Sequence, residues 1–458
     1  MFIDMSGDVV TTSDHTACVA WDRVVEGVLS HDAMTPNHLT TVLAIDPHFA
    51  LAHAAKGLML MSLARRELLD AAQQSLGDAQ AAAAMRPVTD RETAYIDALA
   101  MWLSGAPRKA ARRLDYALID HPFDALAIKF TQIIRFMCGE QEAMLSSLQH
   151  IAPNYGEDRP LSGYVMGCYA FALEEKRFYP EAEHAGRRAV ELAPRDVWGR
   201  HAVAHVLEMT GKAQQGEDWL GDASAWAHAN NLRFHIAWHV ALFMLERGAY
   251  VQALDLYDTS VRAEKTNDYR DIANAASFLA KLEFRGVDVA DRWEELADLG
   301  QTRMFDNRLV FADLHYALAL LGAGRRDDAQ AIGRRLLEDS ESHPGTEQTE
   351  TAKQGALVTF GLLALREQRY FEAARLLERA RPRLTCIGGS NAQRDLFEQA
   401  YIESLIGCGA HERAASALRE RSAARGGVNL YASQRLAKLT KVEAIQSLST
   451  VQHAAVLA

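Results

Sequence analysis

A 34-residue spacing runs through this chain and constrains its fold more than any other feature. One unit passes through Gly105, Ala110, Ala117 and Pro122, and the next turn glycine, Gly139, falls 34 residues after Gly105. The pattern returns at Tyr179, Ala182 and Pro194, at Gly211 and Gly216, at Gly248, Tyr250 and Ala253, at Gly324 and Ala329, at Gly361, Tyr370 and Ala373, and at Gly409 and Ala414. Small residues let two helices pack closely, glycine permits the tight turn between them, and proline cannot continue the helix before it. Such a period marks an array of helical hairpins.

Apolar residues at three- and four-residue spacing, as in HVALFMLERGAYVQALDLYDTSV, and only 11 prolines in 458 residues predict helix after helix. Period-two alternation is nearly absent, so strands are not expected. The expected fold is all-α: a right-handed α-solenoid of tetratricopeptide-like hairpins, with helix A of each unit facing a concave groove. We divide it into a helical cap (1–44), repeats (45–196), central repeats carrying a His-rich groove (197–261), and C-terminal repeats with a cap (262–458). Three extra residues separate the units at 197 and 234, and segments 64–86 and 262–305 fit the period poorly.

A net charge of -11 and a pI near 5.9 argue against a nucleic-acid partner. No window approaches 18 consecutive apolar residues, and the start, MFIDMSGDVV, lacks a signal-peptide pattern, so we expect a cytoplasmic protein without a membrane partner. The five cysteines are scattered and never form CxxC, consistent with reduced thiols.

Of 17 histidines, four fall in WGRHAVAHVLEM and FHIAWHVALFMLE. His201 and His205 stand four apart with Glu208 three further on, which places all three along one helical face. His235 and His239 repeat the spacing on the next helix A. In the repeat register all five face the groove, and two HxxxH pairs with a carboxylate offer a ligand set for a divalent metal such as Zn, Mn, Fe or Ni. His205, His239 and Glu208 are the candidate catalytic groups, as metal ligands or as acid and base. The alternative is a structural network of packed histidines.

Tyr164, Trp198, Trp238 and Phe311 are placed at the groove entrance as candidate substrate contacts, with Asp313, His315 and Arg394 further out; aromatics at this spacing are more often core packing than ligand contacts. Arg86, Arg91 and Glu92 read as a solvated helix start capped by Thr89. GGSNAQRD (Gly388 to Asp395) lacks a P-loop lysine, and Ser390 or Asn391 is expected to cap the following helix; its N-terminus with Arg394 is the alternative, an anion holder.

The segments IDPHFALAHA, RPVTDRE, HPFDALAIKF, RPLSGYVMG, WGRHAVAHVLEM, HIAWHVALFMLERGAYVQALDLYD and GGSNAQRDLF together resemble the tetratricopeptide repeat protein 38 family over nearly the whole length. The resemblance implies a helical repeat fold and a shared role for the two histidine segments, and carries no catalytic activity or cofactor with it. Ile236 stands where the family pattern tends to have Asn, which implies a missing polar contact beside His235.

The leading expectation is an enzyme of hydrolase or lyase type, acting on a polar small molecule in a concave pocket. The alternative is a non-catalytic scaffold that binds a peptide or helix in the groove. The final VQHAAVLA suggests an oligomer contact, and the oligomeric state stays open.

Overall fold

The computed structural model describes residues 1–152, 155–342, 346–427 and 429–441. The closing VQHAAVLA lies outside the described residues. Helices follow one another in antiparallel pairs: α1 (His15–Leu29) with α2 (Thr35–Ile45), α3 (Ala50–Ser62) with α4 (Leu69–Met85), α5 (Asp90–Leu103) with α6 (Pro107–Asp120), and α7 (Ala125–Met137) with α8 (Gln141–Ile151). The middle comprises α9 (Ser162–Glu175) with α10 (Tyr179–Leu192), α11 (Val197–Met209) with α12 (Ala213–Leu220), and α13 (Leu232–Glu246) with α14 (Tyr250–Leu256). The last third comprises α15 (Tyr269–Phe284) with α16 (Arg292–Arg303), α17 (Val310–Gly322) with α18 (Arg326–Ser342), α19 (Glu347–Arg366) with α20 (Tyr370–Ala380), and α21 (Asn391–Gly407) with α22 (His411–Ala424). The segment 430–441 is again helical. This is an all-α solenoid of tetratricopeptide-like hairpins.

The two layers differ in composition as the period requires. Inner helices are buried on nearly every side: in α11 only Trp198 and Arg200 escape full burial. Outer helices are amphipathic, and α10 buries only Ala182, Ala185, Gly186 and Ala189. Gly211, at φ 72°, ends α11 in the left-handed conformation that lets α12 fold straight back. Arg177 and Gln368 take the same role after α9 and α19 with φ of 64° and 58°, at a steric cost glycine avoids.

Two departures from the expected layout appear at the N-terminus. Residues 1–44 are not wholly helical: Phe2–Ile3 pairs antiparallel with Val9–Val10 before α1 begins. Nor do Arg91 and Glu92 form a solvated helix start, being 1% and 0% exposed. Arg91 donates from Nη1 to Asp4 Oδ2 at 2.7 Å and from Nε to Asp124 Oδ2 at 2.6 Å. Glu92 accepts from the Thr11 amide at 2.9 Å while closing a capping box with Thr89. Arg86 reaches Asp46 at 2.8 Å. These charges pin the N-terminal turn onto the repeats, because burying a charge requires a partner.

The solenoid winds tightly enough to meet itself. Glu67 pairs with Arg303 at 2.7 Å, Gln348 donates to the Gly105 carbonyl at 2.8 Å, Tyr179 donates to the Ala424 carbonyl at 3.0 Å, and the Asn391 amide donates to Glu175 Oε1 at 2.8 Å. The loop after α12 joins the ring as well, with the Asn230 amide donating to the His31 carbonyl at 2.7 Å. Helix α21 lies on the inside, where an open superhelix would present a groove.

Candidate functional site

The four histidines meet on the inner face. His201 is the fifth residue of α11 and His235 the fourth of α13, so the pairs stand nearly level on adjacent inner helices. That follows from where α13 starts: it begins at Leu232 and absorbs part of the extra length, while residues 221–231 form the loop that touches His31. One ring nitrogen from each of His201, His205, His235 and His239 lies within 4.8 Å of the other three.

The contacts among the rings are chemically unusual. His235 Nε2 sits 2.8 Å from His201 Nε2 and 3.2 Å from His239 Nε2. Glu208 Oε2 accepts from His239 Nδ1 at 3.0 Å, which leaves the Nε2 lone pair of a neutral His239 directed at the cluster. A Nε2–H on His235 can point at only one of its two neighbours, and an unprotonated His235 Nε2 meets the His239 lone pair head on, so either way one close nitrogen pair has no proton between its members. Protonating the rings would relieve the conflict, but burial holds His201, His235 and His239 well below the usual imidazole range, and the neighbouring imidazoles push the same way. A shared cation would resolve it: tetrahedral coordination at about 2.0–2.1 Å sets nitrogens about 3.4 Å apart, inside the 4.8 Å that the four rings span.

His205 is fully buried and, among the described residues, neither ring nitrogen has a hydrogen-bond partner, although Nδ1 lies 3.3 Å from Glu174 Oε2. Burial raises the Glu174 carboxyl to about 8, so near neutrality it carries a proton beside His205. Glu175 is engaged otherwise, accepting from the Asn391 amide and from Arg394 Nη2 at 3.1 Å.

The cluster opens into a cavity of about 130 Å³. His201, His205 and His235 line it, with Trp198 and Phe311 of the expected aromatic wall. Sequence reasoning missed the rest of the lining: Phe136, Phe171, Lys129, Gln132, His31 and Asp271 among it. Gly388 and Gly389, at φ 86° and 75°, bring the loop before α21 against this end; a Cβ on Gly389 would enter the Phe311 ring.

Other expected site residues lie elsewhere. Glu208, expected among the ligands, sits behind His239 and orients it. Tyr164 packs in the N-terminal core and Trp238 is fully buried, stacked on His235 with ring centroids 5.1 Å apart. Asp313 faces a separate cavity and pairs with Arg335 at 2.9 Å. His315 backs Phe311, donating from Nδ1 to its carbonyl at 2.7 Å. Arg394 holds no open anion site, because Glu175 and the Gly388 and Gly389 carbonyls occupy its donors. Ser390 does cap α21, in a capping box with Gln393. Ile236 lies in an apolar cluster with Val197, Leu207 and Phe243, facing away from the cavity.

Among the described residues no helix is long and apolar enough to cross a membrane. No protein-family model matches the chain. A solved structure of the human IFIT1 dimer with m7Gppp-AAAA is similar at 14% identity and a TM-score of 0.42, over 95% of this chain and 96% of that one.

Proposed function

We propose that this protein is a metal-dependent enzyme of hydrolase or lyase type acting on a small molecule, with His201, His205, His235 and His239 holding one divalent ion (Zn, Mn, Fe or Ni). The observation that carries this reading is the meeting of the His201, His235 and His239 Nε2 atoms, two close pairs sharing His235 Nε2 that neutral imidazoles cannot both bridge with a proton. An ion bound there, taking a fifth ligand from the cavity side, would polarise a substrate carbonyl or make bound water more acidic. Glu208 fixes the His239 ring, as carboxylates behind metal-ligating histidines do. The Glu174 carboxyl, next to His205, supplies an exchangeable proton at the edge of the site. Trp198, Phe171 and Phe311 form the apolar wall against which a substrate would rest. Membership of the tetratricopeptide repeat protein 38 family belongs to the same proposal, supported by the segments quoted above.

The test is turnover of small esters, lactones and hydroxy acids by zinc-loaded, chelator-stripped and His239→Ala protein. Activity that falls with chelation and in the variant, and returns on reloading, supports the reading. Activity indifferent to chelator, or full activity in the variant, sinks it.

The repeat architecture itself favours a second reading, a non-catalytic scaffold. Since α21 occupies the inside of the ring, a peptide or helix would dock on the outer layer, where Tyr116 and Ile119 stand three apart on α6 at 67% and 71% exposure. A protein partner captured stoichiometrically by wild type and His239→Ala alike, and lost with Tyr116→Ser and Ile119→Ser, would favour it.

A further inference from the structure

Lys129, on α7, is 2% exposed, yet it lines the cavity. Its Nζ lies 4.3 Å from the centroid of the Trp198 ring, and among the described residues no carboxylate lies within ion-pair distance of it. The carboxylate that acts on it, Asp196, caps α11 through Oδ1, donated to by the Trp198 amide at 3.1 Å, and is outside the cavity lining. Burial raises the Asp196 carboxyl to about 7, so its charge is itself only partial near neutrality. The other cation on the cavity wall, Arg270, is neutralised by Asp268 at 2.6 Å. Asp271 is held by Thr266 and by Asn231, which donates to it at 2.7 Å.

A buried ammonium without a partner is costly, and burial pulls Lys129 below the usual lysine range. The structure keeps it at the wall of a cavity that His201, His205 and His235 of the imidazole cluster also line. A divalent ion on those imidazoles would add two further positive charges, which Asp271, the carboxylate of the described lining, offsets only in part. Ile133, Phe136, Met137, Phe171, Leu309 and Phe311 give the wall its apolar part, beside polar groups such as Gln132, Asn231 and Gln393.

We infer that the cavity takes a small organic carboxylate with an apolar body, its carboxylate held by Lys129 and its body packed against the aromatic wall. This rests on the metal-site reading for the total charge, while the Lys129 contact stands by itself. Trp198 gives the ammonium a π-face to rest on, and the incoming carboxylate supplies the counter-ion the chain withholds.

Calorimetric titration of zinc-loaded and chelator-stripped protein with benzoate, the neutral isostere benzamide, and inorganic phosphate tests the inference. Benzoate is expected to bind at least about ten-fold more tightly than benzamide. Lys129→Met is expected to abolish that preference while leaving zinc content and benzamide binding unchanged. The wild-type comparison of benzoate with benzamide stands even if the variant fails to fold. Equal binding of benzoate and benzamide, or an unaltered preference in a folded Lys129→Met, overturns the inference, and phosphate binding more tightly than benzoate overturns the apolar body. Zinc content of the same samples separates the two readings: Lys129-dependent benzoate binding without zinc defeats only the metal site, and bound zinc without a benzoate preference defeats only the carboxylate.

Discussion

His201 Nε2 and His235 Nε2 face one another across 2.8 Å from positions 34 residues apart, one repeat length. The period that builds the fold therefore also builds the site: His205 and His239 keep the same separation one helical turn further on. Because inner helices of successive hairpins lie side by side, residues at matching heights become neighbours once α13 starts at Leu232.

Glu208 accepts from His239 Nδ1 at 3.0 Å and, on the proposed metal site, should set affinity; it also pairs with buried Arg425 at 3.7 Å. Glu208→Ala is expected to weaken metal binding about ten- to a hundred-fold. Competition against a chromogenic chelator measures this, and unchanged affinity would remove Glu208 from the site.

Arg91 stands between Asp4 and Asp124, and its loss strands both carboxylates in the core. Arg91→Met is expected to cost about 3–5 kcal/mol and to expose the N-terminal turn to protease. Limited proteolysis with thermal unfolding checks both. Wild-type resistance at residues 1–12 would count against this account of how the N-terminus is held.

Burial lowers His315 from 6.5 to about 4. A histidine whose folded value is depressed contributes stability present above its unfolded value and lost as the pH falls from there through the folded value. Stability should therefore fall between about pH 6.5 and 4, by up to about 3 kcal/mol from this residue. His315→Gln keeps a donor for the Phe311 carbonyl but cannot protonate. The gap between wild type and variant should move in the variant's favour from pH 7 to pH 5; a constant gap contradicts the assignment.

Gln368 is exposed and holds φ 58° at a hairpin turn where other repeats use glycine. Gln368→Gly should raise stability by roughly 0.5–1 kcal/mol, the relief of the left-handed backbone less the entropy glycine adds to the unfolded chain. Denaturant midpoints decide it, and a loss of stability would mean the side chain makes a contact that outweighs the strain.

Local periodicity made the hairpins legible: Gly105, Gly139, Gly211, Gly248, Gly324 and Gly409 all take positive φ at the turns the spacing assigned to them. The two HxxxH pairs were legible for the same reason, since four-residue spacing fixes a helical face. Contacts across the ring left no such signal. Glu175 meets Asn391 from 216 residues away, so nothing local revealed that α21 would fill the groove. Lys129 sits in the apolar run HPFDALAIKF and Glu174 at a charged helix end, where each looks solvated until the ring closes over it. Asp4, Arg91 and Asp124 were likewise separated by too much chain to read as one network.

Elemental analysis of tag-free protein purified without chelator tests the central claim most directly. Wild type is expected to carry close to one divalent metal per chain, and a folded His201→Ala, His239→Ala double variant to lose it. Wild-type protein that takes up no metal, even after incubation with zinc, or metal content equal in the two proteins, would contradict it.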